Sequence, residues 1–208
     1  MEVIVPLGLM AGMFYLIYFM VKKNMQQIEQ NFEFIAKRFA VEMILPESRW
    51  GWFLGKFPSI DGQINGLAFV SYMYTKGKGK KKKTYTAFIF RLENRVIDSL
   101  HLYKEGFWAK VGKTFGRQDI QFGDEAFDNA YIVRSDDERF AEEVFDRPMR
   151  QLLLHNLPRL RGEFKMQYGQ FEYHELITLN TQTNRDHWLK AIKVGQQLVE
   201  KIESIENR

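Results

Sequence analysis

The segment TYTAFIFRL, Thr84 to Leu92, carries the clearest secondary-structure signal of the chain. Its residues alternate between two faces of an extended backbone, with Thr84, Thr86, Phe88 and Phe90 on one and Tyr85, Ala87, Ile89 and Arg91 on the other. Side chains in a β-strand point alternately to opposite sides, and aromatic and β-branched residues favour that conformation. The segment therefore predicts a strand that buries its phenylalanine face.

Further strand and helix signals lie on both sides of this segment. Residues 59–75, SIDGQINGLAFVSYMYT, predict two strands joined by a turn near Asp61-Gly62 or Asn65-Gly66. SLHLYKE at residues 99–105 predicts another strand, and residues 162–179 predict a hairpin that turns near Gly169. Helical patterns lie between these strands and at the C-terminus. The body is therefore predicted to be α+β, with an antiparallel β-meander, interposed helices and a long C-terminal amphipathic helix.

A lysine-rich stretch, KGKGKKKK, lies between two of the predicted strands. Its lysines are Lys76, Lys78, Lys80, Lys81, Lys82 and Lys83. One interpretation is a solvated hairpin loop held open by self-repulsion. The others are contact with anionic lipid headgroups, with an acidic protein, or with nucleic acid that stacks on Tyr72, Tyr74 and Tyr85.

The composition limits these choices. Apolar residues make up 45% of the 208 residues, which is enough for a substantial core. The formal net charge is +4, so the chain without its six clustered lysines would carry −2. A nucleic-acid footprint usually covers a whole face, so this distribution disfavours nucleic acid. The chain has no cysteine, which excludes disulfides, thiolate nucleophiles and cysteine-bearing metal sites.

The N-terminal run VIVPLGLMAGMFYLIYFMV, Val3 to Val21, contains no charged residue. As a helix it would reach across a hydrocarbon core of about 30 Å. It lacks the basic start and the small-residue cleavage site of a signal peptide. The sequence therefore predicts a transmembrane anchor at residues 1–23, and Gly8 and Gly12 are spaced to allow a homodimer through it.

The residues after this run predict the topology. Lys22 and Lys23 follow it directly. By the positive-inside rule, the protein is expected to be a single-pass, integral protein of the cell (inner) membrane with its C-terminal body in the cytoplasm. Residues 24–45 predict an amphipathic juxtamembrane helix, and residues 46–208 a cytoplasmic α+β domain.

No catalytic, metal-binding or cofactor-binding residue is predicted. The acidic residues of the 119–137 loop fit no calcium-binding spacing, and they are Asp119, Asp124, Glu125, Asp128, Asp136 and Asp137. The four histidines, His101, His155, His174 and His187, form no metal-ligand pair in the sequence. An enzyme of unknown reaction would need a pocket around the 119–137 loop, Trp108 and His174.

The stretch from Gly116 to Asp137 has the pattern GxQDIQxGDxxFDxxYxVRSDD. In this pattern the chain resembles a group of uncharacterised prokaryotic membrane-anchored proteins that share a domain of unknown function. The resemblance implies no activity. The sequence as a whole therefore predicts a membrane-anchored binding or scaffolding module of unknown ligand that contacts anionic lipid through its lysine-rich hairpin, with the enzyme as the alternative.

Overall fold

The computed structural model describes residues 4–46, 56–92, 99–104, 119–158 and 160–206, with side chains described at residue 10 and from 12 to 205. In chain order the elements are α1 (Ile4–Phe39), β1 (Glu42–Ile44), β2 (Ser59–Ile64), β3 (Leu67–Lys76), a 3-10 turn (Gly79–Lys81), β4 (Lys83–Arg91), β5 (Leu100–Tyr103), α2 (Glu125–Asp128), β6 (Ile132–Ser135), α3 (Glu138–Val144), α4 (Arg147–Asn156), β7 (Gly162–Gln167), β8 (Gln170–Glu175) and α5 (Gln182–Glu206). The architecture is α+β, as the sequence predicts.

The eight described strands form one antiparallel sheet in the order β1-β2-β3-β4-β8-β7-β5-β6. The first four strands follow one another as a meander, but the β7–β8 hairpin lies between β4 and β5. Strand β4 is therefore central, and its Phe88 lies opposite Ser71 of β3 and Tyr173 of β8.

One face of the sheet forms the core. Phe88 and Phe90 are fully buried on it, and Thr86 beside them is buried too. The Phe88 ring centroid lies 5.5 Å from those of Tyr173 and Trp188. Trp188 extends from α5 and donates its indole N–H to Ser71 Oγ at 3.2 Å. These contacts hold α5 against the middle of the sheet.

Helix α5 approaches β4 closely at Gly195. A Cβ at this position would lie 2.6 Å from Cζ and 2.7 Å from Cε2 of Phe88. Only glycine fits this gap without a shift of the phenyl ring, because carbon atoms repel strongly at such distances. Gly195 therefore sets the spacing between helix and sheet.

The second half of α1 packs on the same core. Ile28, Phe32 and Ile35 are fully buried, in line with the apolar periodicity of residues 24–45. The buried Asn31 amide donates to the carbonyl of Leu179 at 2.9 Å. Helix α1 runs without a break through residues 23 and 24, where the sequence predicts a boundary.

The predicted membrane anchor is wrong. In the part of the chain that the structure describes, no helix is long and apolar enough to cross a membrane. Residues 1–3 of the predicted anchor lie outside the described residues.

Several other predictions depend on that anchor. The single-pass topology, the integral contact with a membrane, the homodimer through the anchor, and the inner-membrane location with a cytoplasmic body are wrong with it. The structure shows instead that the apolar side chains between Met10 and Met20 are exposed, from 42% at Tyr18 to 69% at Met20.

Candidate functional site

The lysine-rich stretch forms the tip of a projecting β-hairpin. Strand β2 pairs with β3 only as far as Tyr72, and β8 pairs with β4 only from Thr86 onward. Beyond these points β3 and β4 continue together, through pairs that end with Lys76 opposite Lys83. At about 3.3 Å per residue, this two-stranded segment extends about 10 Å past its neighbours. We call residues 74–85 the lysine ribbon.

The structure places all six predicted lysines on the lysine ribbon, and all six are exposed. Within the described residues none of them forms an ion pair. The turn depends on Gly77, whose φ of +106° is one that side-chain-bearing residues rarely adopt. A Cβ on Gly77 would also lie 2.5 Å from the carbonyl oxygen of Lys81. The glycine thus lets the backbone fold into a compact, lysine-covered tip.

Two tyrosines stiffen the base of the lysine ribbon. The rings of Tyr74 and Tyr85 stack across the strands, with centroids 5.4 Å apart and planes at 17°. Partial burial, together with Tyr72, Tyr85 and Glu172 nearby, raises the pKa of Tyr74 to about 12. Tyr74 is therefore neutral at physiological pH and adds no negative charge beside the lysines.

A second candidate site lies where α4, β7 and α5 meet. A cavity of about 400 Å³ opens there, and its polar lining comes from Asn156, Arg161, Thr183, Asp186, His187 and Lys190. We call it the α4–α5 cleft. Thr183, His187 and Lys190 are spaced by four and three residues, so they form one stripe along α5.

A buried acid lies behind this cleft. Glu175, at the end of β8, is fully buried, and its Oε2 accepts a hydrogen bond from the Tyr173 hydroxyl at 2.6 Å. His187 Nε2 lies 2.8 Å from the same oxygen. A carboxylate oxygen accepts hydrogen bonds, so we assign an N–H to Nε2 of His187.

The surroundings of Tyr173 support this assignment. Burial, followed by the charge and the hydrogen bond of Glu175, raises the pKa of Tyr173 well above its ordinary value. The tyrosine therefore keeps its proton and acts as a donor to Glu175. The Arg161 guanidinium acts in the opposite direction on that pKa, so its positive charge lies close to the buried pair.

The acidic residues of the 119–137 loop serve structural roles where they are described. Asp124 and Asp137 cap α2 and α3 by accepting from the amides of Phe127 and Phe140. Asp119 accepts from Arg134 Nε at 2.7 Å, and Asp128 accepts from the amides of Phe122 and Asp124. Asp136 accepts from the hydroxyl of Ser99 at 2.8 Å, and Glu125 lies in the first turn of α2.

The enzyme pocket predicted around this loop stays a prediction. His174 lies on the face of the sheet opposite to that of Tyr173, and its Nε2 lies 3.9 Å from Oε2 of the buried Glu163. Trp108 lies outside the described residues. Among the residues that the structure describes, no group of three or more His, Asp or Glu side chains could bind a metal.

Sequence reasoning missed the α4–α5 cleft. Glu175 of β8 and His187 of α5 meet because α5 packs on the sheet, and they form no short sequence motif. Arg161 comes from a third segment, just before β7. A usable signal was present in HisGlu at 174–175, where a carboxylate ends a strand whose other core-facing residues are Phe171 and Tyr173. A charged residue in register with buried aromatic residues indicates a buried, partnered acid.

Comparison with known proteins establishes the fold alone. The crystal structure of the mycobacterial trehalose monomycolate transport factor A, TtfA, is similar to this chain, with a TM-score of 0.52 and 14% identity over 84% of this chain and 93% of that one. At this identity the likeness carries no function to this chain. No family model matches the sequence, and no curated protein matches it. The resemblance at residues 116–137 therefore stays a prediction.

Proposed function

We propose that this chain is a non-enzymatic binding module that contacts the surface of anionic phospholipid bilayers through the lysine ribbon. The observation that carries the proposal is the placement of six exposed lysines on a stiff hairpin that projects beyond the sheet. A convex tip reaches a flat surface first, whereas a small ligand needs a concave site.

The expected strength follows from the number of lysines. Each lysine near an anionic bilayer contributes about 1 kcal/mol, so the six together contribute at most about 6 kcal/mol before ordering costs. Contact of this strength has a dissociation constant of tens of micromolar at best. It is sensitive to salt, because a Debye length of about 8 Å screens exposed charges at physiological ionic strength.

Nucleic acid fits the lysine ribbon less well. Tyr74 and Tyr85 are already stacked on each other and half-buried, so their faces are not free to receive bases. The rest of the chain carries a formal net charge of −2. A nucleic-acid backbone would therefore meet no basic surface that continues past the hairpin tip.

The proposal is tested by vesicle flotation of the full chain. Neutral phosphatidylcholine vesicles are compared with vesicles that also contain phosphatidylserine, at low and high salt. The double variant Lys80→Gln/Lys82→Gln is compared with Lys104→Gln/Lys193→Gln, which removes the same charge from exposed positions outside the lysine ribbon. We expect only the anionic vesicles to carry the parent in a salt-sensitive way, and the ribbon variant to bind about thirtyfold more weakly.

Three outcomes would contradict the proposal. Equal flotation with neutral and anionic vesicles would assign binding to the exposed apolar side chains of α1. Equal losses in the two double variants would mean that net charge acts without a localised surface. No flotation under any condition would also refute the lipid contact and would direct the search to acidic protein partners.

A further inference from the structure

Two basic side chains, Arg161 and Lys190, line the α4–α5 cleft. Arg161 and Lys190 are exposed on its wall, and neither forms an ion pair within the part of the chain that the structure describes. The acid that lines the same wall, Asp186, accepts both guanidinium hydrogen bonds of Arg185, at 2.8 and 2.9 Å. The cleft therefore presents two unpaired positive charges beside a carboxylate that already has a partner.

The orientation of α5 adds to this positive character. Thr183, which lines the cleft, lies in the first turn of this helix, where the backbone dipole is positive. The C-terminal end of α4, at Asn156 and Leu157, also lines the cleft, and its carbonyl groups form the negative end of a helix dipole. One of these, the Leu157 carbonyl, already accepts from the Tyr131 hydroxyl at 2.8 Å. The local field thus still favours an anion.

The buried Glu175 makes this a built site with a fixed imidazole. One of its oxygens holds Tyr173 and His187, and the other, Oε1, is buried and accepts no hydrogen bond from the described residues. A buried, half-satisfied carboxylate is costly, so such a group needs a compensating role. Here Glu175 fixes the imidazole of His187 in the wall of the cleft. Arg161, which directly precedes β7, and Lys190 of α5 line the same wall.

We propose that the α4–α5 cleft binds a small molecule that carries a phosphate or carboxylate group, held by Arg161 and Lys190 beside His187. Its volume of about 400 Å³ lies in the range of small-molecule sites. A guanidinium fork and an ammonium group are the side chains that bind such oxoanions with charge-assisted hydrogen bonds. The residues that line this site are different from those of the lysine ribbon.

The test is an NMR titration of the full chain, following the imidazole signals of His187 and, as an internal reference, His101. Inorganic phosphate and succinate are titrated separately to about 10 mM, at constant pH and ionic strength. Phosphate acting alone identifies a phosphate-bearing ligand, and succinate acting alone identifies a carboxylate-bearing one. We expect one of them to move the His187 signal with saturation while His101 stays still.

Matched variants localise the binding. Lys190→Gln and Arg161→Gln should each weaken it about tenfold, because each removes a charge-assisted hydrogen bond. Lys193→Gln removes the same charge from an exposed position on α5 that does not line the cleft, and should change the affinity less than twofold. The ribbon variant Lys80→Gln/Lys82→Gln should bind like the parent.

The proposal is overturned if neither anion moves the His187 signal in the parent. It is also overturned if Lys193→Gln weakens binding as much as Lys190→Gln does, since that would show a general charge effect. Lys190 and Lys193 are both exposed on α5, so Lys190→Gln and Lys193→Gln are expected to fold alike.

Discussion

Replacement of Gly195 by alanine tests how α5 packs on the sheet. Two opposing effects determine its outcome. Alanine in place of glycine inside a helix stabilises by about 1 kcal/mol. The new methyl group would lie 2.6 Å from Cζ of Phe88, and overpacking of this kind costs about 1–3 kcal/mol. We therefore expect Gly195→Ala to leave the free energy of unfolding unchanged or to lower it by up to about 2 kcal/mol.

The substitution Phe88→Leu separates the two effects. Leucine lacks the ring atoms Cζ and Cε2 that the new methyl group would meet. In this background Gly195→Ala retains only its helical advantage and should stabilise by about 1 kcal/mol. The double-mutant cycle should therefore give a coupling free energy of about 1–3 kcal/mol.

The assay is urea denaturation of the parent, both single variants and the double variant, with slopes compared to verify a common two-state transition. Gln197→Ala, at an exposed position of α5, serves as the control and should show no coupling with Phe88→Leu. If Gly195→Ala has the same effect in both backgrounds, within about 0.5 kcal/mol, Gly195 does not lie against the Phe88 ring.

Three further predictions concern the ribbon and pH. Gly77→Ala should lower the free energy of unfolding by about 1–2 kcal/mol, measured in urea, because φ is +106° and the methyl group would meet the Lys81 carbonyl. The pKa of Tyr74 is raised from 10.0 to about 12, so its contribution to stability is complete below pH 10 and is lost as pH rises toward 12. Tyr74→Phe should therefore flatten the alkaline fall in stability, and ultraviolet titration should lose one late-ionising tyrosine. Burial raises the pKa of Asp146, but hydrogen bonds from Lys201 and a backbone amide outweigh it and hold the pKa below 3.8. Its contribution is therefore present above pH 3.8 and lost as pH falls through the lower folded pKa, and Asp146→Asn should flatten the acid limb of denaturation curves.

Local patterns were sufficient for the strands and for the interior faces of the helices. The alternation in residues 84–92 corresponds to β4, with Phe88 and Phe90 buried. The spacing of apolar residues in α5 puts Trp188 and Ile192 in the core. These features follow from the periods of a strand and a helix, which depend only on neighbouring residues.

The N-terminal prediction failed because hydropathy treats a run of residues without its context. The uncharged run suggested an anchor, whereas the structure continues the same helix through Lys22 and Lys23 into a segment that packs on the sheet. The summed hydropathy of a window estimates the free energy of transferring those residues into a membrane. It carries no information on where the helix that contains them ends.

The sequence by itself determined which segments form strands and helices, which of their faces are apolar, and that six lysines lie together at a turn between two strands. Only the tertiary structure decided that β7 and β8 insert between β4 and β5, that the lysine turn projects past its neighbours, and that Arg161, Glu175 and His187 meet. The physical reason is that side-chain periodicity is a local property of the backbone. Strand pairing and the encounter of charged groups depend instead on contacts between segments that are far apart in the chain, whose partners no single segment specifies.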